Sequence, residues 1–521
     1  MRVEGQASTK QKGAFQVNER TERRYPKILR NRKARIERRL ARREYSDQPK
    51  PMLAGGNIQY EMGEKGQGLA CGGIGAMHQM AQRIGLVKTI DESLELLKVH
   101  APYHESDHVL NIAYNVMVGG IRLEDIELRR QDEVFLNAVG AQRIPDPTTA
   151  GDFTRRFEED DIVTLMEAVN TTRQRVWRKR ARRRLKQAWI DIDGTVAPTL
   201  GQCKEGMDIS YKGIWGYHPL IVSLANTKEV LYLVNRPGNV VSHEGAAPWI
   251  DKAIDLVEPW SRRLTLRGDT DFSLTAHFDR WAERVDFLFG MDANSKLVGL
   301  AQALETHVWK RLRRQPPYTV KTEARGRRRN VKEAIVVQRE FENIRLESEH
   351  VAEFRYRPVK CARDYRVVVL RKNLSVAKGE QTLFDDIKYF FYITTRQDLT
   401  ASEVVEAAND RCDQENVIEQ LKNGVNAMRM PVNNLLSNWA YMVMAALAWN
   451  LKAWWALMVR FRDRQEELLR MEFRRFQQAM IWLPTQIIRQ GRQIVYRLMG
   501  YNDWLKDFFS AWEFTRRWKW A

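Results

Sequence analysis

The stretch from Arg411 to Lys422 constrains this chain more than any other. It reads R-x3-E-x6-K, and at about 3.6 residues per turn this spacing predicts a helix with Arg411, Glu415 and Lys422 along one stripe. A carboxylate flanked by two cations suits a surface that meets a divalent metal and a phosphate together. Two short apolar runs upstream each end in aspartate: Trp189 to Asp193, followed by Gly194 and Thr195, and Leu264 to Asp269, followed by Thr270 and Asp271. Both read as strands. Alternation along a strand sets Asp191 and Asp193 on the same face, so either can supply a ligand.

Singly, these pieces are ordinary. A strand-end aspartate is usually a solvated turn residue, and an Arg/Glu/Lys stripe is usually a surface ladder of ion pairs. Their conjunction, two strand-borne aspartates followed by a helix-borne glutamate, is a DDE arrangement. Three carboxylates, with water and substrate phosphate, satisfy Mg²⁺ without histidine. Phosphodiester cleavage by such a set uses two ions about 3.5 to 4 Å apart.

With Glu415 inside R-x3-E-x6-K, the order resembles the DDE transposases of bacterial insertion sequences that carry a Y-R-E-K signature. The phrases Asp191 to Thr195, Gly216 to Leu220 and Arg411 to Lys422 look most like the insertion-sequence thirteen-eighty family, and the resemblance runs from about residue 65 to about residue 460. It implies Asp193, Asp269 and Glu415 as catalytic metal ligands, since the family's first aspartate stands beside a pair such as Gly194-Thr195 and its second directly follows a strand. Arg411 and Lys422 are then DNA phosphate contacts. Asp191, Asp271, Glu419, Arg267 and His218 remain as alternatives or supporting residues: Arg267 is placed to orient Asp269 or to touch DNA, and His218 reads as a core histidine or a catalytic one. The chain departs from the signature at Ala408, where the family has tyrosine.

The formal charge of +19 and pI near 9.7 call for a polyanionic partner, because such an excess of Lys and Arg otherwise only repels itself. Basic residues cluster at Arg23 to Arg43, Arg175 to Lys186, Lys310 to Arg314 and Arg325 to Arg329. The four cysteines, Cys71, Cys203, Cys361 and Cys412, show neither a disulfide framework nor zinc-ligand spacing. The glycine-rich run Gly66 to Gly75 lacks the lysine of a P-loop and reads as a packing loop. Thr148 or Thr149 reads as the N-cap of a helix that follows Pro145.

The expected fold is α/β: an RNase H-like catalytic domain with a β-rich insertion, between a helical DNA-binding region and a helical C-terminal region. The boundaries read as a basic flexible arm over 1–50, a helical DNA-binding region over 51–186, catalytic segments over 187–311 and 386–460, a β-rich insertion over 312–385 and a C-terminal region over 461–521. Predicted strands cover 188–193, 217–225, 229–235, 263–268 and 285–290, with helices through 248–257 and near 274–283. Further β-rich runs are Glu333 to Gln338, Phe354 to Pro358 and Tyr365 to Leu370, and a strand over Tyr389 to Thr395 leads to the glutamate helix. The apolar segment Trp439 to Val459 has the length of a membrane span, but Asn450 and Lys452 interrupt it, and the resemblance makes it a helix beneath the catalytic sheet.

The resemblance further implies cut-and-paste transposition through hairpin ends. It implies two Mg²⁺ ions, replaceable by Mn²⁺, and double-stranded DNA as partner, both terminal inverted repeats and target. It also implies a homodimer on two DNA ends, no membrane association, and a bacterial cytoplasmic, nucleoid-associated location. The alternatives are an RNase H-like structure-specific nuclease and a non-catalytic DNA-binding protein on the same fold.

Overall fold

The computed structural model describes residues 9–41, 60, 67–201, 203–314, 335, 338–339, 342–378, 381–490 and 493–518. The chain forms two compact units: Met1–Lys88 with Val99–Ala150 and Trp454–Ala521, and Thr89–Lys98 with Gly151–Ala453.

The second unit holds a nine-stranded sheet. In chain order its strands are β1 (Gln187–Gly194), β2 (Leu220–Leu224), β3 (Glu229–Val234), β4 (Arg263–Gly268), β5 (Asp286–Met291), β6 (Lys310–Arg311), β7 (Glu342–Tyr356), β8 (Tyr365–Lys378) and β9 (Gln381–Thr394). Their order across the sheet is β6-β7-β8-β9-β5-β4-β1-β2-β3. β4 runs parallel to both β1 and β5, and the other pairings are antiparallel. Helices α1 (Glu159–Arg180), α2 (Ala246–Val257), α3 (Ala401–Asn409), α4 (Cys412–Glu419) and α5 (Leu435–Met458) complete the framework.

β3 is an edge strand, yet every residue in it is buried. Side chains replace the missing neighbour. Asn450 of α5 accepts from the Val230 N–H at 2.9 Å and donates to the Val230 carbonyl at 3.1 Å, while the Trp449 and Trp439 indoles donate to the Lys228 and Leu233 carbonyls. Arg173 and Trp177 of α1 hold the buried Glu229 carboxylate at 2.9 and 2.8 Å. This removes the exposed row of backbone groups that makes an edge strand hazardous. It also explains the apolar segment at 439–459: no helix among the described residues is long and apolar enough to cross a membrane.

Several expectations shift. The second predicted strand begins at Leu220, because Trp215–Tyr217 belongs to a separate three-stranded sheet with Ala197–Pro198 and Asp208–Ile209. The helix predicted near 274–283 consists of short turns ending in Phe278–Trp281. The runs at Phe354 and Tyr365 fall in β7 and β8, which extend the central sheet edgewise through β9 and β5; most of Glu333 to Gln338 lies outside the described residues.

In the first unit the basic N-terminal segment includes a helix over Thr9–Ala41. The cap of the helix Pro147–Thr154 is Asp146, not Thr148 or Thr149: its carboxylate accepts from the Thr149 N–H and hydroxyl at 2.9 and 2.8 Å. Gly72 and Gly73 donate to the Leu483 and Ile481 carbonyls, and a Cβ on Gly73 would lie inside the Met480 backbone, so this glycine run serves close backbone approach. The C-terminal segment contains a hairpin, Thr485–Gln490 with Gln493–Leu498, besides its helices.

Candidate active site

β1 and β4 lie side by side in parallel, in a register that sets Asp191 opposite Arg267. The Arg267 guanidinium donates to both Asp191 oxygens, at 2.6 and 2.9 Å, and to the Ala407 carbonyl at 2.6 Å, a carbonyl in the last turn of α3. Asp191 and Arg267 are both buried. Such a carboxylate is fully engaged, and Arg267, 5% exposed, is turned to Asp191; the pair ties the two strands to α3, the helix before the one that carries Glu415. Arg267 and Arg396 each lie 5.2 Å from the Trp189 ring.

Two residues on, Asp193 has a different partner. Its Oδ2 accepts from Arg411 Nη1 at 3.0 Å. The same Nη1 is 3.8 Å from Asp269 Oδ2, and Arg411 Nη2 is 4.0 Å from Glu415 Oε1. Carboxylates from β1, from the turn after β4 and from α4 thus converge on one guanidinium. Asp269 also caps its own turn, accepting from the Asp271 N–H at 3.0 Å.

Arg411 is positioned by a break in the helix. α3 opens at Thr400 with a capping box closed by Glu403 and ends at Asn409, and α4 starts at Cys412. The predicted stripe therefore begins at the N-cap of α4, and α3 is a separate helix before it. After α4 the chain widens into a π turn over Gln420–Gly424 that contains Lys422, so the 3.6-residue stripe does not run unbroken. Burial lowers the pKa of the Lys422 ammonium, opposed by the charges of Glu419 and Asp193. Glu419 is exposed and accepts from Asn423 at 2.7 Å.

The electrostatics are those of crowded acids. Burial pushes the Asp193 carboxyl up to about 7; Arg411 opposes this, and Asp269 and Glu415 add to it. Asp269 is raised in the same way, by burial first, with Arg411 opposing and Asp271 adding. The fraction of each side chain exposed falls from 61% at Glu415 through 32% at Asp269 to 15% at Asp193, leaving the cluster open on the Glu415 side. The donors are all oxygens, the chemistry that a hard divalent cation such as Mg²⁺ takes, but with Arg411 among them the three carboxylates do not all come within 4.8 Å of one another.

His218 is buried, with Nδ1 2.6 Å from the Val240 carbonyl, and burial lowers its pKa. A Cβ on Gly194 would come within 3.1 Å of its Nε2, so the glycine beside Asp193 makes room for the histidine. No phenol projects from position 408. Ala408 packs against the cluster of Leu288, Leu312, Val351, Val368, Leu370, Val404 and Val405, as does Tyr392 of β9. Burial raises the pKa of the Tyr392 phenol, which also feels the charges of Arg314, Glu349 and Arg411. The sequence offered the strand containing Tyr392 but no sign that it faces α3.

No curated protein matches the chain. Among solved structures, a piggyBac transposase synaptic complex with hairpin DNA, seen by cryo-electron microscopy, is similar over 78% of this chain and 80% of that one, at 10% identity and a TM-score of 0.36, a level at which the likeness carries no argument. The family model described as "Transposase DDE domain group 1" matches residues 58–515. That match spans most of the 521 residues, and the chain therefore belongs to the DDE transposases, enzymes that cleave and transfer DNA strands with divalent metal ions.

Proposed function

We propose that this transposase binds the terminal inverted repeats of its own element and moves it by cut-and-paste, with Asp193, Asp269 and Glu415 as the ligand set for Mg²⁺. The observation that carries the reading is the convergence of these carboxylates, from three separate segments, on Arg411. The strand order β3-β2-β1-β4-β5 supports an RNase H-like catalytic core, extended by β9, β8, β7 and β6.

When bound, a pair of divalent ions would activate the attacking oxygen and stabilise the leaving one. The chain's own residues do the rest. Asp193 and Asp269 present oxygens from rigid strand ends, and Glu415 closes the set from the exposed side. Arg411 and Lys422 hold phosphates flanking the scissile bond, Arg411 in a fork geometry matched to phosphate oxygens. In the first step water attacks phosphorus and the 3′-oxygen leaves, taking up a proton. That 3′-hydroxyl then attacks the opposite strand, which closes a hairpin end and expels the other strand's 3′-oxygen. A dimer across two ends, acting on the bacterial nucleoid, would keep both ends in register.

The test uses full-length protein, Mg²⁺ and duplexes carrying the DNA that flanks the gene. Wild-type protein should give hairpin ends and joined products in a target plasmid. Asp193→Ala, Asp269→Ala and Glu415→Ala should each lower cleavage by roughly a thousandfold, about 4 kcal/mol of barrier, with end binding in the absence of divalent metal within a few-fold. Cleavage without joining by the wild type would mean a structure-specific nuclease. Undiminished cleavage by any variant would remove that residue from the ligand set.

A further inference from the structure

Arg411 faces two ways. As a phosphate contact it belongs to the DNA, yet in the DNA-free protein its guanidinium stands among the three acids, hydrogen-bonded to Asp193 and within 4.0 Å of oxygens from both others. A divalent ion bound to those oxygens would face this fixed positive charge at close range. The arginine and the metal compete for the same oxygens.

We propose that Arg411 is a removable cation: it fills the acid cluster while DNA is absent, and an incoming phosphate draws it off, so that metal affinity and DNA affinity are coupled through this one side chain. The inference rests on the reading of Asp193, Asp269 and Glu415 as the metal ligands.

Three features make the side chain releasable. Its hold is uneven, since only the Asp193 contact is at hydrogen-bond distance and the other two are 3.8 and 4.0 Å. Its backbone is the N-cap of α4 at the junction with α3, where the N–H donates to the Ala408 carbonyl at 3.3 Å and the carbonyl accepts from the Gln414 N–H at 2.8 Å, so only the side chain has to move. It is 22% exposed, and so is neither sealed in nor fully solvated. Contrast Arg267, 5% exposed, with both Asp191 oxygens and a helix carbonyl as partners. Phosphate offers Arg411 a bidentate site that the divided acids do not. Because coupling between two ligands is reciprocal, metal must tighten DNA binding by the factor by which DNA tightens metal binding.

The experiment measures Mn²⁺ affinity of the full chain by electron paramagnetic resonance of the free ion, with and without a short blunt duplex carrying the element's end. Wild-type protein should bind Mn²⁺ about tenfold more tightly with the duplex, within the usual range of coupling. Arg411→Gln should bind it about tenfold more tightly than wild type without DNA, and should lose most of the gain on adding duplex. Lys422→Gln removes a neighbouring charge that does not bridge the acids, and should change DNA-free affinity by no more than about threefold. Equal tightening by both Gln variants would reduce the effect to a general field and overturn the proposal, as would a duplex gain in Arg411→Gln equal to that of wild type. Asp193→Asn separates the two levels: if it abolishes Mn²⁺ binding while Arg411→Gln behaves as wild type, only this inference falls. If Asp193→Asn binds Mn²⁺ normally, the ligand assignment falls with it. Circular dichroism and melting of each variant confirm that the fold is retained.

Discussion

Asp193 carries the sharpest electrostatic conflict in the site. Its carboxyl is held at about 7 against an ordinary 3.8, because burial outweighs the pull of Arg411. A carboxyl with a raised folded-state pKa binds its proton more tightly when folded, so its contribution to stability is present below pH 3.8 and is lost as pH rises through 7. The loss is bounded at about 4 kcal/mol, at 1.36 kcal/mol per unit. Asn mimics the protonated acid. Asp193→Asn should therefore raise the melting temperature of metal-free protein by roughly 2 to 6 °C at pH 8 and leave it unchanged near pH 4. A lower melting temperature at pH 8 would show that the Arg411 pair outweighs burial. At this scale the sequence displayed both aspartates and their shared face, but not the partner of either. The partners depend on the register of β1 against β4, which sets Asp191 against an arginine 76 residues away. Local patterning carries no such information. The Ala408 position is alike: the missing phenol was visible, whereas Tyr392 became relevant only when β9 came to pack with α3 against one cluster.

The elements that shape the site were legible where periodicity or a cap spoke plainly. β1, β3, β4 and β5 lie within one or two residues of the expected strands, because each is a short apolar run bounded by turn residues. What escaped was departure from regularity: the break before Arg411 and the π turn at Gln420–Gly424 disappear when a helix is read at 3.6 residues per turn. The apolar α5 is explained by the edge it covers. Its Asn450 interrupts a run long enough to span a membrane because the β3 backbone needs a donor and an acceptor there. Asn450→Leu should leave the buried Val230 N–H without a partner, while Arg173 still serves the carbonyl. The expected cost is about 1–3 kcal/mol, read as a lower denaturant midpoint. An unchanged midpoint would mean that the strand edge does not depend on this contact.

At the scale of the whole molecule, charge and topology were legible to different degrees. The β-rich segment was expected as an insertion, but strands pair by register over long separations, so its seating as an extension of the central sheet could not be read from the run of apolar residues alone. Net charge needs no such knowledge. An excess of +19, with clusters at Arg23 to Arg43 and Arg175 to Lys186, implies that phosphate neutralisation supplies much of the affinity for DNA. Each neutralised phosphate releases condensed counterions, so log K should fall linearly with log salt, by a slope near −0.9 per contact. With some six to ten contacts, affinity should drop on the order of a thousandfold or more between 50 and 200 mM salt. Deleting residues 1–45 should reduce the slope by the number of contacts the segment makes, and replacing Arg178, Lys179, Arg182 and Arg183 by Gln should lower it further. Both changes should weaken unrelated duplexes as much as the element's ends, because phosphate contacts carry no sequence information. The check is a salt titration of binding for the full and shortened chains on both duplexes. A weaker affinity with an unchanged slope would mean that the N-terminal segment acts through folding or dimer assembly, and a loss confined to the element's ends would mean that it reads bases.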